Sequence, residues 1–210
     1  MYRVSLIILF VFANINRSLD CEALPIDLQP SAVSSLYHDC GLEKMISIEA
    51  FNHSLSGYNK FSPDKPIIAI CDFTKPSTEE RFFIIDIEHK KVLYKSLVAH
   101  GKNSGDIMAT HFSNQPESLQ SSLGFYKIGA IIQSPKHGVA LLLHGLEKAK
   151  NDNALKRQII MHGADYVCQK FVSQYGRLGR SFGCPALPNS LMKEVAPILQ
   201  NGALLYIYAG

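Results

Sequence analysis

The sequence predicts an α+β, strand-rich domain: a β-sandwich or barrel with a few peripheral helices. Three observations carry that prediction. Short apolar runs rich in Ile, Val, Phe and Tyr recur between residues 66 and 208, separated by turn residues. Only a few segments show the three-to-four-residue apolar spacing of a helix. The chain has 210 residues, 47% of them hydrophobic, enough for one domain with a real core.

The elements follow in order. Residues 1–20 open with Arg3, then an apolar run from Val4 to Ala13 broken only by Ser5, then Asn14, Asn16 and Arg17. Ten apolar residues are too few to cross a bilayer and suit a signal peptide, so an exported protein is expected, with no stable membrane span once the leader is removed. Leu19-Asp20 before Cys21 lacks the small residue of lipoprotein processing. Residues 21–65 read as a helical segment packing on the main domain. Leu42, Met45, Ile46, Glu49, Ala50, His53 and Leu55 have helical spacing, and Gly57 with Ser62-Pro63 ends it. The main domain is expected over 66–210. Strands are predicted at 66–73, 81–88 and 91–99, the last two joined as a hairpin at His89-Lys90. Residues 100–122 form a long polar loop, a candidate lid over a cleft. Strands resume at 123–132, 139–143 and 158–161, the last running into His162. Helices are predicted at 165–175, ended by Gly176, and at 190–199, with Pro197 in its last turn or at a kink. Residues 204–208 close the chain as a strand.

A net charge of +3, with no Lys/Arg run longer than two, gives no footprint for nucleic acid. Five cysteines leave one over in an oxidising compartment. Cys21 and Cys40 could pair. Cys71 and Cys168 read as core residues. Cys184 alone has a glycine before it and a proline after it, a context for an exposed turn.

Chemistry concentrates in His162-Gly163 and, after 17 intervening residues, Ser181-Phe182-Gly183-Cys184. A thiol attacks carbonyl carbon as thiolate, and a nearby imidazole can take its proton. Gly183 lets backbone approach a substrate, and the amides around Cys184 can face an oxyanion. Catalytic candidates are therefore Cys184, His162, Ser181 and Gly183. No Gly-x-Ser-x-Gly elbow surrounds Ser181, so an orienting hydrogen bond to His162 is its expected role. Substrate-binding candidates are Arg180, Phe182, Gly163 and His100. Arg180 either holds a carboxylate in its guanidinium fork or makes a surface ion pair. His100 either lines the cleft or serves a structural turn. Tyr166 and Phe171 read as core, and Asp165 as a solvated carboxylate at a helix start. Zinc is not expected, since no CxxC, HxxxH or HxH spacing occurs.

The segment around His162 and Cys184 resembles the active-site motif of the bacterial peptidoglycan L,D-transpeptidases: His-Gly, a spacer, then Ser or Thr, His, Gly, Cys. The likeness extends to Asp72-Phe73-Thr74-Lys75-Pro76-Ser77, to 98–105, Phe112-Ser113-Asn114 and 121–125, to Met161 through Val167, and to 179–186. These pieces are similar to the murein L,D-transpeptidase catalytic domain family over about residues 45–208. The resemblance implies that family's β-sandwich or barrel and peptidoglycan stem peptides as partners. It implies attack by Cys184 at the bond to a terminal D-amino acid, His162 as base and then acid, and a thioester passed to an amine. Backbone amides of Phe182, Gly183 and Cys184 would hold the oxyanion, and no cofactor is required. Two departures stand out: Phe182 replaces the histidine before Gly-Cys, and Pro185-Ala186 follow the cysteine. Two other readings stay open, an L,D-carboxypeptidase or peptide hydrolase using the same pair, and a non-catalytic envelope-binding module.

Overall fold

The computed structural model describes residues 25–210. The leader prediction and Cys21 lie outside the described residues. In order, α1 spans Pro30–Asp39 and α2 Ile48–Phe61, followed by β1 (Ile67–Asp72), β2 (Phe82–Asp86), β3 (Lys91–Ser96), β4 (Gly124–Ser134), β5 (Gly138–Gly145) and β6 (Ile160–Gly163). Then come α3 (Gln169–Tyr175), β7 (Ala186–Leu187), α4 (Asn189–Leu199) and β8 (Leu204–Tyr208).

Among the described residues, eight strands form one sheet in the order β3-β2-β1-β8-β4-β5-β6-β7. Its two edges meet. The chain leaving β3 bridges back to β7: the Ala99 N–H donates to the Ala186 carbonyl at 2.9 Å and the Ala186 N–H returns a bond at 3.3 Å. The sheet is thus a nearly closed, strand-rich barrel with α1 and α2 on its outer face, as the sequence pattern predicts. Closure satisfies edge groups that would otherwise be exposed.

Alternation along three neighbouring strands explains their unbroken apolar runs. Ala69, Cys71, Phe82, Ile84, Leu205 and Ile207 point into the barrel core, where α4 adds Met192, Val195 and Leu199. Ile68, Ile70, Phe83, Ile85, Leu204 and Tyr206 point outward and are covered by α1 and α2. Strands buried on both faces lose the polar alternation of a half-exposed sheet. Cys71 takes its place in this core.

The differences from the predicted elements are local. Helix α1 falls inside the helical segment expected over 21–65 but has no spacing of its own to mark it; it buries only Val33 and Tyr37, too few positions to set a periodic stripe. Helix α2 starts at Ile48 rather than near 42, because Ser47 caps it by accepting the Ala50 N–H at 3.1 Å. Leu42 and Ile46 still reach the same core from the preceding turn. Helix α3 starts at Gln169, after Cys168 in extended conformation, rather than at 165. Cys168 is consequently half-exposed instead of core, with its thiol 3.4 Å from the Asp165 carbonyl. The two-residue β7 lies between Pro185 and Pro188 and carries no sequence signal of its own. No helix among the described residues is long and apolar enough to cross a membrane.

Candidate active site

His162 sits on β6, between β5 and β7, and is 1% exposed. Its Nδ1 lies 2.9 Å from the Gly163 carbonyl. A carbonyl only accepts, so Nδ1 carries the hydrogen and Nε2 of the neutral ring keeps its lone pair. Gly163 is needed behind this ring: a Cβ there would come within 2.4 Å of Asn189 Oδ1. One face of the imidazole stacks on His137 from the β4–β5 turn, with centroids 3.7 Å apart and planes at 26°. Burial holds the His162 pKa down at about 4; the Gly163 carbonyl opposes this, and His137 and Lys136 add to it. The ring is neutral at neutral pH and able to accept a proton.

Cys184 closes a tight turn. The Ser181 hydroxyl donates to the Cys184 carbonyl at 2.6 Å and accepts the Gly183 N–H at 3.1 Å. Ser181 therefore shapes the turn and makes no bond to His162, contrary to the role predicted for it. Gly183 has φ +126°, and a Cβ there would lie 2.8 Å from the Gln120 carbonyl and 3.1 Å from Arg157 Nη2. Only glycine fits both the conformation and the space. Because the Gly183 N–H is spent on Ser181, the amides of Phe182 and Cys184 are left as the candidate oxyanion donors. The half-buried thiol lies along β6, 3.5 Å from the Ile160 N–H and 3.8 Å from the Gln158 carbonyl. Burial raises its pKa, against the lowering pull of the Ile160 amide, Arg157 and Lys136. No hydrogen bond joins Cys184 to His162 among the described residues, yet both line one cleft of about 740 Å³.

Other predicted residues divide. Arg180 and Phe182 line that cleft. Arg180 is already engaged, with Nη1 2.9 Å from the Gly105 carbonyl and 3.3 Å from Asp106 Oδ1. His100 does not line it. That ring is 1% exposed, its Nδ1 takes a bond from Arg81 at 2.8 Å, and its Nε2 faces the Gly105 carbonyl at 3.4 Å. Gly163 lies behind His162 rather than on the cleft surface. Tyr166 is half-buried: it packs against the small cluster of Ala164, Val167 and Leu178 and also lines the cleft, and burial with the nearby Cys184 pushes its phenol up to about 12. Asp165 precedes α3 by several residues and accepts from Asn189 Nδ2 at 2.6 Å.

The 100–122 loop contributes no residue to the cleft lining. It is a buttress. The buried Ser121 hydroxyl accepts the Gly101 N–H and donates to the Gly183 carbonyl, both at 3.0 Å. Among the described residues, no group of three His, Cys, Asp or Glu is placed to hold a metal ion.

The sequence pattern of the L,D-transpeptidase catalytic domain matches residues 42–208. The chain belongs to that family. No curated protein matches this transpeptidase domain in sequence. Solved structures similar to it include an L,D-transpeptidase from Mycobacterium smegmatis, at 13% identity and TM-score 0.43, covering 69% of this chain and 59% of that one. Another is an L,D-transpeptidase from Stackebrandtia nassauensis, at 14% identity and TM-score 0.41, covering 85% and 76%. The helical cell shape determining protein of Campylobacter jejuni aligns at 14% identity and TM-score 0.43, over 86% of this chain and 54% of that chain. The transpeptidase domain thus spans about three fifths of the length of the first of these.

Two residues of this L,D-transpeptidase domain escaped the sequence reading. His137 sits in Pro135-Lys136-His137-Gly138, which reads as an ordinary hairpin turn. Only the strand pairing brings it over His162. Arg157 ties the buttress loop under the cysteine turn, with Nη1 2.8 Å from the Ser113 carbonyl and 3.1 Å from Ser122 Oγ. The run of polar residues after 147 gives no hint of that reach.

Proposed function

We propose that this chain is an exported peptidoglycan L,D-transpeptidase with Cys184 as nucleophile and His162 as base. The observation that carries the reading is a thiol and a neutral imidazole with a free Nε2 on one cleft. Thiol and ring both rest uncharged, so the proton moves as attack occurs. His162 Nε2 takes the Sγ proton while sulfur bonds to the scissile carbonyl of a tetrapeptide stem. The oxyanion is received by the Phe182 and Cys184 amides, where one such donor is typically worth about 3 kcal/mol of barrier. The imidazolium then protonates the departing D-amino acid nitrogen as the carbon–nitrogen bond breaks, leaving a thioester. An incoming amine gives its proton to His162, bonds to the acyl carbon and releases the thiol, forming a cross-link.

One observation favours water as a competing acceptor. The cleft is lined by Lys136, Arg157 and Arg180 and by no Asp or Glu, so an ammonium form of the acceptor is not attracted. Attack by water would give L,D-carboxypeptidase trimming. The test is incubation of the purified protein with muropeptide tetrapeptides and mass spectrometry of the products. Dimers support transpeptidation, and tripeptide monomers alone support trimming. Absence of both products and of an acyl adduct on Cys184 would refute the enzyme reading.

A further inference from the structure

Phe182 occupies the position before Gly183-Cys184 and is 58% exposed on the cleft rim. Two ammonium groups converge on its ring, Lys136 Nζ at 5.0 Å and Lys102 Nζ at 5.4 Å from the centroid. They arrive from separate parts of the chain. Lys102 is set by its own N–H, which donates to the Ser181 carbonyl at 2.8 Å, and Lys136 stands at the tip of the β4–β5 hairpin. Among the described residues neither ammonium has an ion-pair or hydrogen-bond partner. The carboxylate of Asp106 is held by Arg177 at 2.6 Å and Arg180 at 3.3 Å. Arg180, the cation nominated from sequence, thus shares one carboxylate with Arg177, while the two lysines face none.

Two like charges beside one exposed ring repel each other, and each cation–ring contact at such a site returns only about 0.5–1 kcal/mol. An anion drawn to this pair offsets the repulsion and takes charge-assisted bonds from the ammonium groups within its reach. Lys136 is close enough for its charge to be felt at both Cys184 and His162. We propose that Lys102 and Lys136, over the Phe182 ring, form a carboxylate subsite on the rim of the Cys184 cleft. It selects acyl donors that carry a free carboxylate near the scissile amide. The inference rests on Cys184 being the reactive group of this cleft and gives the proposed reaction a substrate preference.

The test compares iodoacetate with iodoacetamide on the intact protein. Both offer the same carbon to sulfur, and only the first carries a carboxylate. Rates at Cys184 and at Cys168, a thiol outside the cleft, are read by peptide mass spectrometry. The iodoacetate-to-iodoacetamide ratio at Cys184 should exceed that at Cys168. The Lys102→Gln/Lys136→Gln double variant should lower the Cys184 ratio by at least about threefold and leave Cys168 unchanged. A Lys44→Gln/Lys193→Gln control, with the same change in net charge, should alter neither. A Cys184 ratio that survives the rim double variant overturns the subsite, as does a Cys184 that neither reagent reaches. Since no peptidoglycan is involved, a ratio that responds alongside an inactive muropeptide assay keeps the subsite and removes only the proposed reaction.

Discussion

Two buried histidines sit on opposite sides of the cysteine turn, and they differ instructively. His100 and His162 are each 1% exposed, and burial holds each pKa down at about 4. Behind the turn, both ring nitrogens of His100 are committed, one to Arg81 and the other toward Gly105. On the cleft side, His162 commits Nδ1 alone. Burial and a depressed pKa are therefore shared by a structural ring and the proposed base. What separates them is one uncommitted nitrogen and an opening to the cleft. A shifted pKa nominates a site only together with that geometry.

Substitution at the two rings should give the largest contrast. His162→Gln is expected to slow acylation of Cys184 by a carbapenem about 10²–10⁴-fold. His100→Gln should change that rate only severalfold while lowering the thermal midpoint. Equal rate losses would erase the distinction. Arg81→Met attacks the structural side. Arg81 is fully buried and donates to the Val98 carbonyl at 2.8 Å, the Lys75 carbonyl at 2.9 Å and His100. Removing it strands these acceptors at roughly 1–3 kcal/mol each, so chemical denaturation should show a loss of about 3 kcal/mol or more.

Acid should act on both rings alike. Their folded pKa lies below the usual 6.5, so the unfolded chain takes up protons first as pH falls. This stability is present above about 6.5 and lost progressively down to about 4, on the order of 3 kcal/mol per ring. Denaturant titrations of His100→Gln and His162→Gln should each show a shallower slope across that window. The smallest effect is expected from His137→Phe, which keeps a ring stacked on His162 and removes an imidazole that disfavours its charge. The acid limb of Cys184 acylation should move up by less than about one pH unit, with the plateau rate nearly unchanged. A large fall in the plateau would give His137 a part in proton transfer.

Much of this was legible in the sequence because burial on both faces writes itself as continuous apolar runs. Ile67–Asp72 and Phe82–Asp86 are the clearest cases. His162 and Cys184 could be nominated because the proposed chemistry needs those residue types, and they do share one cleft; Gly183 stands where no side chain fits. What was hidden depends on long-range pairing. Ser181 shares a turn with Cys184, so its nearest acceptor is local and His162 is out of its reach. His100 has glycine at its side but an arginine from β2's edge behind it, and no local pattern announces Arg81. Tyr166 belongs to a loop rather than a helix, which turns its ring to the cleft.

The bridge between Ala99 and Ala186 carries one more implication. The segment bearing Cys184 is stitched to residues far earlier in the chain, through Ala99, His100 and Lys102. Contacts so distant in sequence form late in folding. A partly folded chain, with its two halves still apart, has a cysteine but no assembled cleft, so the proposed reactivity would arrive only with the finished barrel.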